Sequence, residues 1–162
     1  RYPRANIPRI YENLSASSFG VGEGQILVEG EDATFLALGS MVEVALKAHK
    51  ILKQEGVEIR VVNMRFAKPL DGRLILDSLA KSRFLYTLEE HVLNGGFGSK
   101  VLEFLERQKV GDIWVHRFAL PDEFIEQGAR ETLLDHFGLS PEKIASCVLN
   151  QLRSDSPVSL FS

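Results

Sequence analysis

The stretch "ATFLALGSMVEVALKAHKILKQEGVEIRVVNMR" (residues 33–65) decides the fold. It opens on a run that is apolar almost throughout, as a strand buried on both faces reads. Ser40 follows as the N-cap of a helix. Met41, Val44, Ala45, Ala48, Ile51 and Leu52 then recur at helical spacing and form one face, and Gly56 supplies the stop. "VEIRVVNMR" (57–65), with four β-branched residues, is the next strand. Strand, amphipathic helix and strand in such close succession make a βαβ unit, whose two strands lie parallel.

The same alternation continues on both sides. Upstream, "QILVEG" (25–30) is a short strand that turns at "EGED" (29–32). Downstream, "AKPLD" (67–71) is a turn, and "GRLILDSLAKS" (72–82) is a helix with Leu74, Ile75, Leu79 and Ala80 as its buried stripe. "RFLYTLEE" (83–90) is a strand, "GSKVLEFLERQ" (98–108) a helix and "DIWVHRFAL" (112–120) a strand. Two helical segments close the chain. One is "EFIEQGARETLLDHFG" (123–138), and the other starts at Ser140-Pro141, with proline at the first helical position. This order predicts an α/β three-layer sandwich, with a mostly parallel sheet of about five strands and helices on both faces. Residues 1–24 contain two prolines and a Ser/Gly-rich half, and they read as an arm or linker. Residues 25–154 are the domain and 155–162 a frayed tail. The chain opens on Arg1, not on Met, in a polar stretch, and is expected to be part of a longer polypeptide.

Composition narrows the function classes. Apolar residues make up 44% and charged residues 25% of the 162, as in a soluble globular domain. The net charge of −3, with the basic residues dispersed among acids, points to no nucleic-acid partner and no anionic membrane surface. No apolar run reaches the ~20 residues of a membrane span. The one cysteine, Cys147, cannot make an internal disulfide, reads as a core thiol, and is compatible with a reducing cytoplasm.

Ligands of parallel sheets gather beyond the carboxyl ends of the strands. Gly39-Ser40, Arg65, Glu89-Glu90-His91 and Pro121-Asp122 all fall there. His91 and Arg65 are, by position alone, the first suspects for a small-ligand pocket. "EEHVLNGGFGS" (89–99) is the most conspicuous stretch, with acids, an imidazole and a glycine cluster together. Its glycines match neither the dinucleotide fingerprint nor a P-loop, so Gly95 and Gly96 read as a tight turn before a helix. Glu89 and Glu90 are adjacent on a strand and point to opposite faces, so they cannot form an acid/base pair in one small site. One is expected to cap the strand end or the helix N-terminus, and the other to meet solvent or a partner. His49 and His136 are expected on helix surfaces and His116 in a strand, with no metal-ligand spacing among the histidines. In "RYPR" (1–4), a Tyr-Pro pair holds two arginines apart, and arginine suits bidentate recognition of phosphate or carboxylate.

Taken in order, "RYPRAN" (1–6), "EGEDATFLALGSMVEVAL" (29–46), "VNMRFAKPLD" (62–71), "YTLEEHVLNGGFGSKVLEFL" (86–105) and "LPDEFIEQGARETLLDHFGL" (120–139) resemble the C-terminal part of thiamine-diphosphate-dependent enzymes of the transketolase family. The acidic pair with its glycines is shared with transketolases and with the β subunits of 2-oxoacid dehydrogenases. "RYPR", "RFAKPLD" and "PDEFIEQG" narrow the resemblance to the 1-deoxy-D-xylulose-5-phosphate synthase branch. Ala5 departs from that branch, which usually has glycine there, but the change removes no charge.

The resemblance implies a transferase that condenses pyruvate with glyceraldehyde 3-phosphate, releases CO2, and feeds isoprenoid and thiamine biosynthesis. It implies a cytoplasmic homodimer, with thiamine diphosphate and Mg bound between two preceding domains and none bound by this fragment. The fragment would support the dimer and supply an arginine for the substrate phosphate, with Arg4 favoured by the "YPR" pattern and Arg1 the second candidate. Glu89, Glu90, His91, Gly95 and Gly96 would face a domain or subunit boundary. Alone, the fragment is expected to be inactive. Two other readings stay open: the corresponding domain of a transketolase or pyruvate dehydrogenase β subunit, and a stand-alone α/β interaction or ligand-binding domain.

Overall fold

A computed structural model describes residues 19–155. In chain order the elements are β1 (Gln25–Val28), β2 (Ala33–Ala37), α1 (Met41–Gln54), β3 (Ile59–Asn63), α2 (Gly72–Leu79), β4 (Phe84–Val92), α3 (Phe97–Arg107), β5 (Trp114–Leu120), α4 (Arg130–His136) and α5 (Pro141–Asp155). The five strands form one sheet in the order β1-β3-β2-β4-β5. β2 pairs in parallel with both β3 and β4, and β4 with β5. β1 alone is antiparallel, at the edge beside β3. The mostly parallel sheet read from the sequence is thus present.

Side-chain alternation divides the core between the two faces. Phe35, Tyr86 and Leu88 pack with α1, α4 and α5 on one face. Leu36, Val62 and Leu85 pack with Ile75 of α2 and with Phe97, Val101 and Leu105 of α3 on the other. Tyr86 is fully buried. Its ring meets Phe35 edge-on at 5.7 Å and stacks with Phe118 at 6.0 Å, so it joins three strands through aromatic contact. Burying each such side chain contributes roughly 1.5–3 kcal/mol.

Three expectations change. His49 is not on the helix surface: it is 8% exposed, and its Nδ1 lies 3.1 Å from the carbonyl oxygen of Ile59. The buried face of α1 is wider than the apolar stripe because a strand backbone supplies the imidazole with a polar partner. The helical segment expected over 123–138 shrinks to Arg130–His136. Phe124 is fully exposed and Ala129 is extended (φ −63°, ψ 134°), so residues 121–129 form a loop with no apolar face to bury. Ser40 stands before α1 but makes no capping bond; its hydroxyl turns to Glu90. Cys147 is half-buried on α5 and packs against the core, and burial pushes its thiol up.

Candidate functional site

The carboxyl ends of β2, β3, β4 and β5 lie along one edge of the sheet, as parallel pairing requires. There β4 loses register with β5 between Leu88 and Val92, across Glu89-Glu90-His91. The two glutamates part as strand geometry demands. Glu89 turns to the α3 face and is 2% exposed. Its two carboxylate oxygens accept the backbone N–H groups of Phe97 (2.6 Å) and Gly98 (2.7 Å). A carboxylate here satisfies two of the donors that open a helix and meets the positive end of its dipole. Gly96 is the close neighbour that makes room, for a Cβ there would stand 2.4 Å from Glu89 Oε2.

Glu90 turns to the other face. It accepts a fork from Arg130, Nε at 2.8 Å and Nη2 at 2.5 Å, and a third bond from the Ser40 hydroxyl at 2.5 Å. Burial pushes the Glu90 carboxyl up, but the Arg130 and Ser40 hydrogen bonds outweigh it and hold the group below its ordinary value. This cluster ties the start of α1 to the start of α4 across the sheet edge. A depression of about 280 Å³ lies beside it, with Leu120, Ile125 and Leu133 in its wall. The polar end of that depression is the hydrogen-bonded Glu90–Arg130 pair.

His91 is half-buried, with Nδ1 3.4 Å from the Val92 carbonyl oxygen, and Gly95 is exposed at the turn. Asn94 donates to Asp122 at 3.1 Å, joining the glycine turn to the 121–129 loop. Arg117 of β5 donates to the Leu93 carbonyl oxygen at 3.0 Å and to the Ser99 hydroxyl at 3.1 Å. Arg65 is elsewhere on the edge and is held by Gln25. Arg1 and Arg4 lie outside the described residues.

This constellation holds a turn together. The α3 N-terminus, where a diphosphate would seek N–H donors, is already filled by Glu89. Among the described residues no three His, Cys, Asp or Glu side chains converge as a metal site. No helix among the described residues is long and apolar enough to cross a membrane. Sequence reasoning missed Arg130 as the partner of Glu90: 40 residues separate them, and no local pattern marks the pair.

Acid should weaken this domain in two windows. Burial pushes the His49 imidazole down, and burial followed by the Arg117 charge does the same for His116. An imidazole lowered in the fold takes up a proton more readily when unfolded, so its contribution is complete above about 6.5 and is lost as the pH falls. The lowered Glu90 carboxyl adds a second loss below about 4.3. His116→Phe, which keeps the ring contacts with Trp114 and Phe118, is expected to flatten part of the decline in denaturation midpoint between pH 7 and 5. An unchanged slope would assign that decline to other groups.

The layering and the strand-end turn define the class. The chain belongs to the transketolase C-terminal domain family, whose model matches residues 22–144. Within it the chain is similar to 1-deoxy-D-xylulose-5-phosphate synthase 2 of Geobacter sulfurreducens, 44% identical over 146 residues, which are 90% of this chain and 23% of that protein. It is similar also to the 1-deoxy-D-xylulose-5-phosphate synthases of Pelotomaculum thermopropionicum, 41% identical over 93% of this chain and 24% of that protein, and of Desulforudis audaxviator, 38% identical over 99% and 25%. The chain thus spans about a quarter of the length of the curated relatives it matches. Among solved structures, a split-gene transketolase described as an inactive beta4 tetramer superposes with a TM-score of 0.76 at 36% identity, covering 83% of this chain and 44% of that one. A transketolase mutant from Pichia stipitis, at 20% identity and a TM-score of 0.61 over 85% of this chain and 19% of that one, shares the fold.

Proposed function

We propose that this chain is the carboxyl-terminal part of a 1-deoxy-D-xylulose-5-phosphate synthase. The whole enzyme then condenses pyruvate with glyceraldehyde 3-phosphate to give 1-deoxyxylulose 5-phosphate and CO2. The observation that carries this reading is the similarity, at 38–44% identity over nine-tenths or more of the chain, to proteins of that name. Thiamine diphosphate and Mg²⁺ belong to preceding domains, and the enzyme is a cytoplasmic homodimer. The domain described here is a buttress. Glu89, Glu90 and Gly96 hold the glycine turn from within, while His91 and Gly95 offer its outer side to a neighbouring domain or subunit. Phe124, fully exposed on the adjoining loop, extends that surface.

Arg4 is the residue assigned to substrate, as the holder of the glyceraldehyde 3-phosphate phosphate, with Arg1 the second candidate. In the full-length enzyme Arg4→Ala should raise the Michaelis constant for glyceraldehyde 3-phosphate by roughly 10- to 100-fold, the value of about 1.5–3 kcal/mol for a hydrogen bond to a charged group. The constant for pyruvate should hold. If both constants are unchanged, the arginine is structural. The chain alone, titrated with thiamine diphosphate and Mg²⁺ in a calorimeter, should give no binding heat, and tight binding would overturn the division of labour.

A further inference from the structure

β1 is four residues long, half-buried throughout, and pairs with β3 alone. Its register slips between Ile26 and Val28. Shortness and a bulge blunt a sheet edge, because an incoming strand finds few evenly spaced backbone groups to pair with. β3 beneath it is the opposite case. Ile59–Val62 are buried, and the pairing with β2 runs without a slip from Ile59 to Asn63. The segment "IRVVNM" (59–64) has three β-branched residues and neither proline nor glycine. Bared, a segment of that composition pairs with a copy of itself.

The exit of β1 is held by Arg60 of β3, whose side chain is 3% exposed. Its Nε donates to Glu29, the residue that follows β1, at 2.9 Å. Its Nη1 donates to Asp77 of α2 at 2.8 Å and to the Ser78 hydroxyl at 3.3 Å. Both carboxylates are exposed. Desolvation of a buried cation offsets much of what its carboxylates return, so the contribution of Arg60 is one of position. It ties the end of the edge strand to β3 and α2 together. The turn beyond it lies flat on β3: a Cβ at Gly30 would stand 2.4 Å from the Ile59 carbonyl carbon. Asp32 closes that turn, its N–H on the Glu58 carbonyl oxygen at 3.0 Å and its Oδ2 accepting the Glu58 N–H at 2.7 Å. The entry to β1 is held separately, through Gly24 and Gln25.

We propose that β1 is a cover over the edge of β3, that the Arg60–Glu29 pair is the lock on its exit, and that the edge beneath is a surface for a second copy of this chain, strand to strand, when β1 lifts. The lock lies at the amino end of β3, away from the strand-end turn, and is independent of the synthase reading.

The test uses Glu29→Ala, which breaks the tie at its exposed partner and leaves Arg60 its bond to Asp77, and Arg60→Met, which removes the charge and keeps an apolar side chain. Hydrogen exchange read by mass spectrometry should show residues 27–30 exchanging roughly five- to tenfold faster in either variant, the scale of one hydrogen bond between charges with a partner in water. Exchange in β2 and β4 and the urea midpoint should hold. The double variant should exchange no faster than the single ones, since both act through one contact. Unchanged exchange at 27–30 in Glu29→Ala overturns the lock, whatever Arg60→Met does to folding. A fluorescently labelled peptide of residues 57–64 then probes the edge. It should bind Glu29→Ala more tightly than the parent by the same roughly five- to tenfold, because only the population with β1 lifted can take it. Light scattering of concentrated protein should show the variant associating beyond the parent. A variant that exchanges faster at 27–30, yet binds the peptide no better and associates no further, overturns the cover and leaves the lock standing.

Discussion

Replacing Glu89 by alanine is expected to lower the unfolding free energy of this chain by about 3–5 kcal/mol, from two charge-assisted hydrogen bonds of roughly 1.5–3 kcal/mol each. The carboxylate is 2% exposed and holds the N–H groups of Phe97 and Gly98 at 2.6 and 2.7 Å. Alanine leaves both donors buried without an acceptor, where water has little access to replace it. It also removes the negative charge that the N-terminus of α3 favours. The loss spreads, because α3 supplies Phe97, Val101 and Leu105 to the core on that face. Domains of this size are stable by about 5–15 kcal/mol, so the variant should be near its threshold at 37 °C. Glu89→Gln keeps one acceptor but turns an amide group toward the second N–H, and should lose an intermediate amount. Urea unfolding followed by circular dichroism reads both values. An alanine variant within about 1 kcal/mol of the parent, the scale of an ordinary surface change, would mean that the cap carries little of the stability of α3.

The second large effect is expected from Gly96→Ala, at about 3 kcal/mol, the upper part of the range for overpacking a filled site. The backbone there (φ −74°, ψ −168°) is open to any residue, so the constraint is one of space. An added Cβ would stand 2.4 Å from Glu89 Oε2 and 2.6 Å from the Val92 carbonyl oxygen. Either the capping carboxylate moves off its two donors or the turn opens. The two substitutions therefore act on one contact and should not add. In the Glu89→Ala background the carboxylate is gone and only the Val92 clash remains, so Gly96→Ala should cost about half as much, a coupling within the range for residues in contact. Strict additivity would show that the glycine is needed for some reason other than its approach to Glu89.

Both effects would give the glycine turn a role in the architecture, in line with the buttress proposed for this domain. A catalytic acid would need a carboxyl with free space before it. Glu89 has two backbone donors on it, and Glu90 has Arg130 and Ser40.

The sequence by itself determined the layering. The nearly continuous apolar run at 33–39 and the β-branched stretch at 57–62 read as strands, and the stripe at helical spacing between them reads as a helix covering one face of their sheet. These are local signals, written within a few residues of where they act. The separation of Glu89 from Glu90 was legible for the same reason, since neighbouring residues on a strand face opposite ways. The extent of α4 was not legible. The pattern in 123–138 permits a helix, but residues 121–129 have no core beneath them, and Phe124 is left in solvent. Nor was the burial of His49, which depends on a carbonyl ten residues away on another element. Tertiary structure alone decided that Ser40 serves Glu90 in place of its own helix, that Arg130 closes over the same carboxylate, and that the Gly-rich segment at 19–24 lies against Arg65, Pro69 and Asp71. In each case the partner lies some 40 or more residues away along the chain. Polar side chains and glycines are locally compatible with many conformations. Which one they adopt is fixed only when folding brings the distant acceptor, ring or carboxylate into reach.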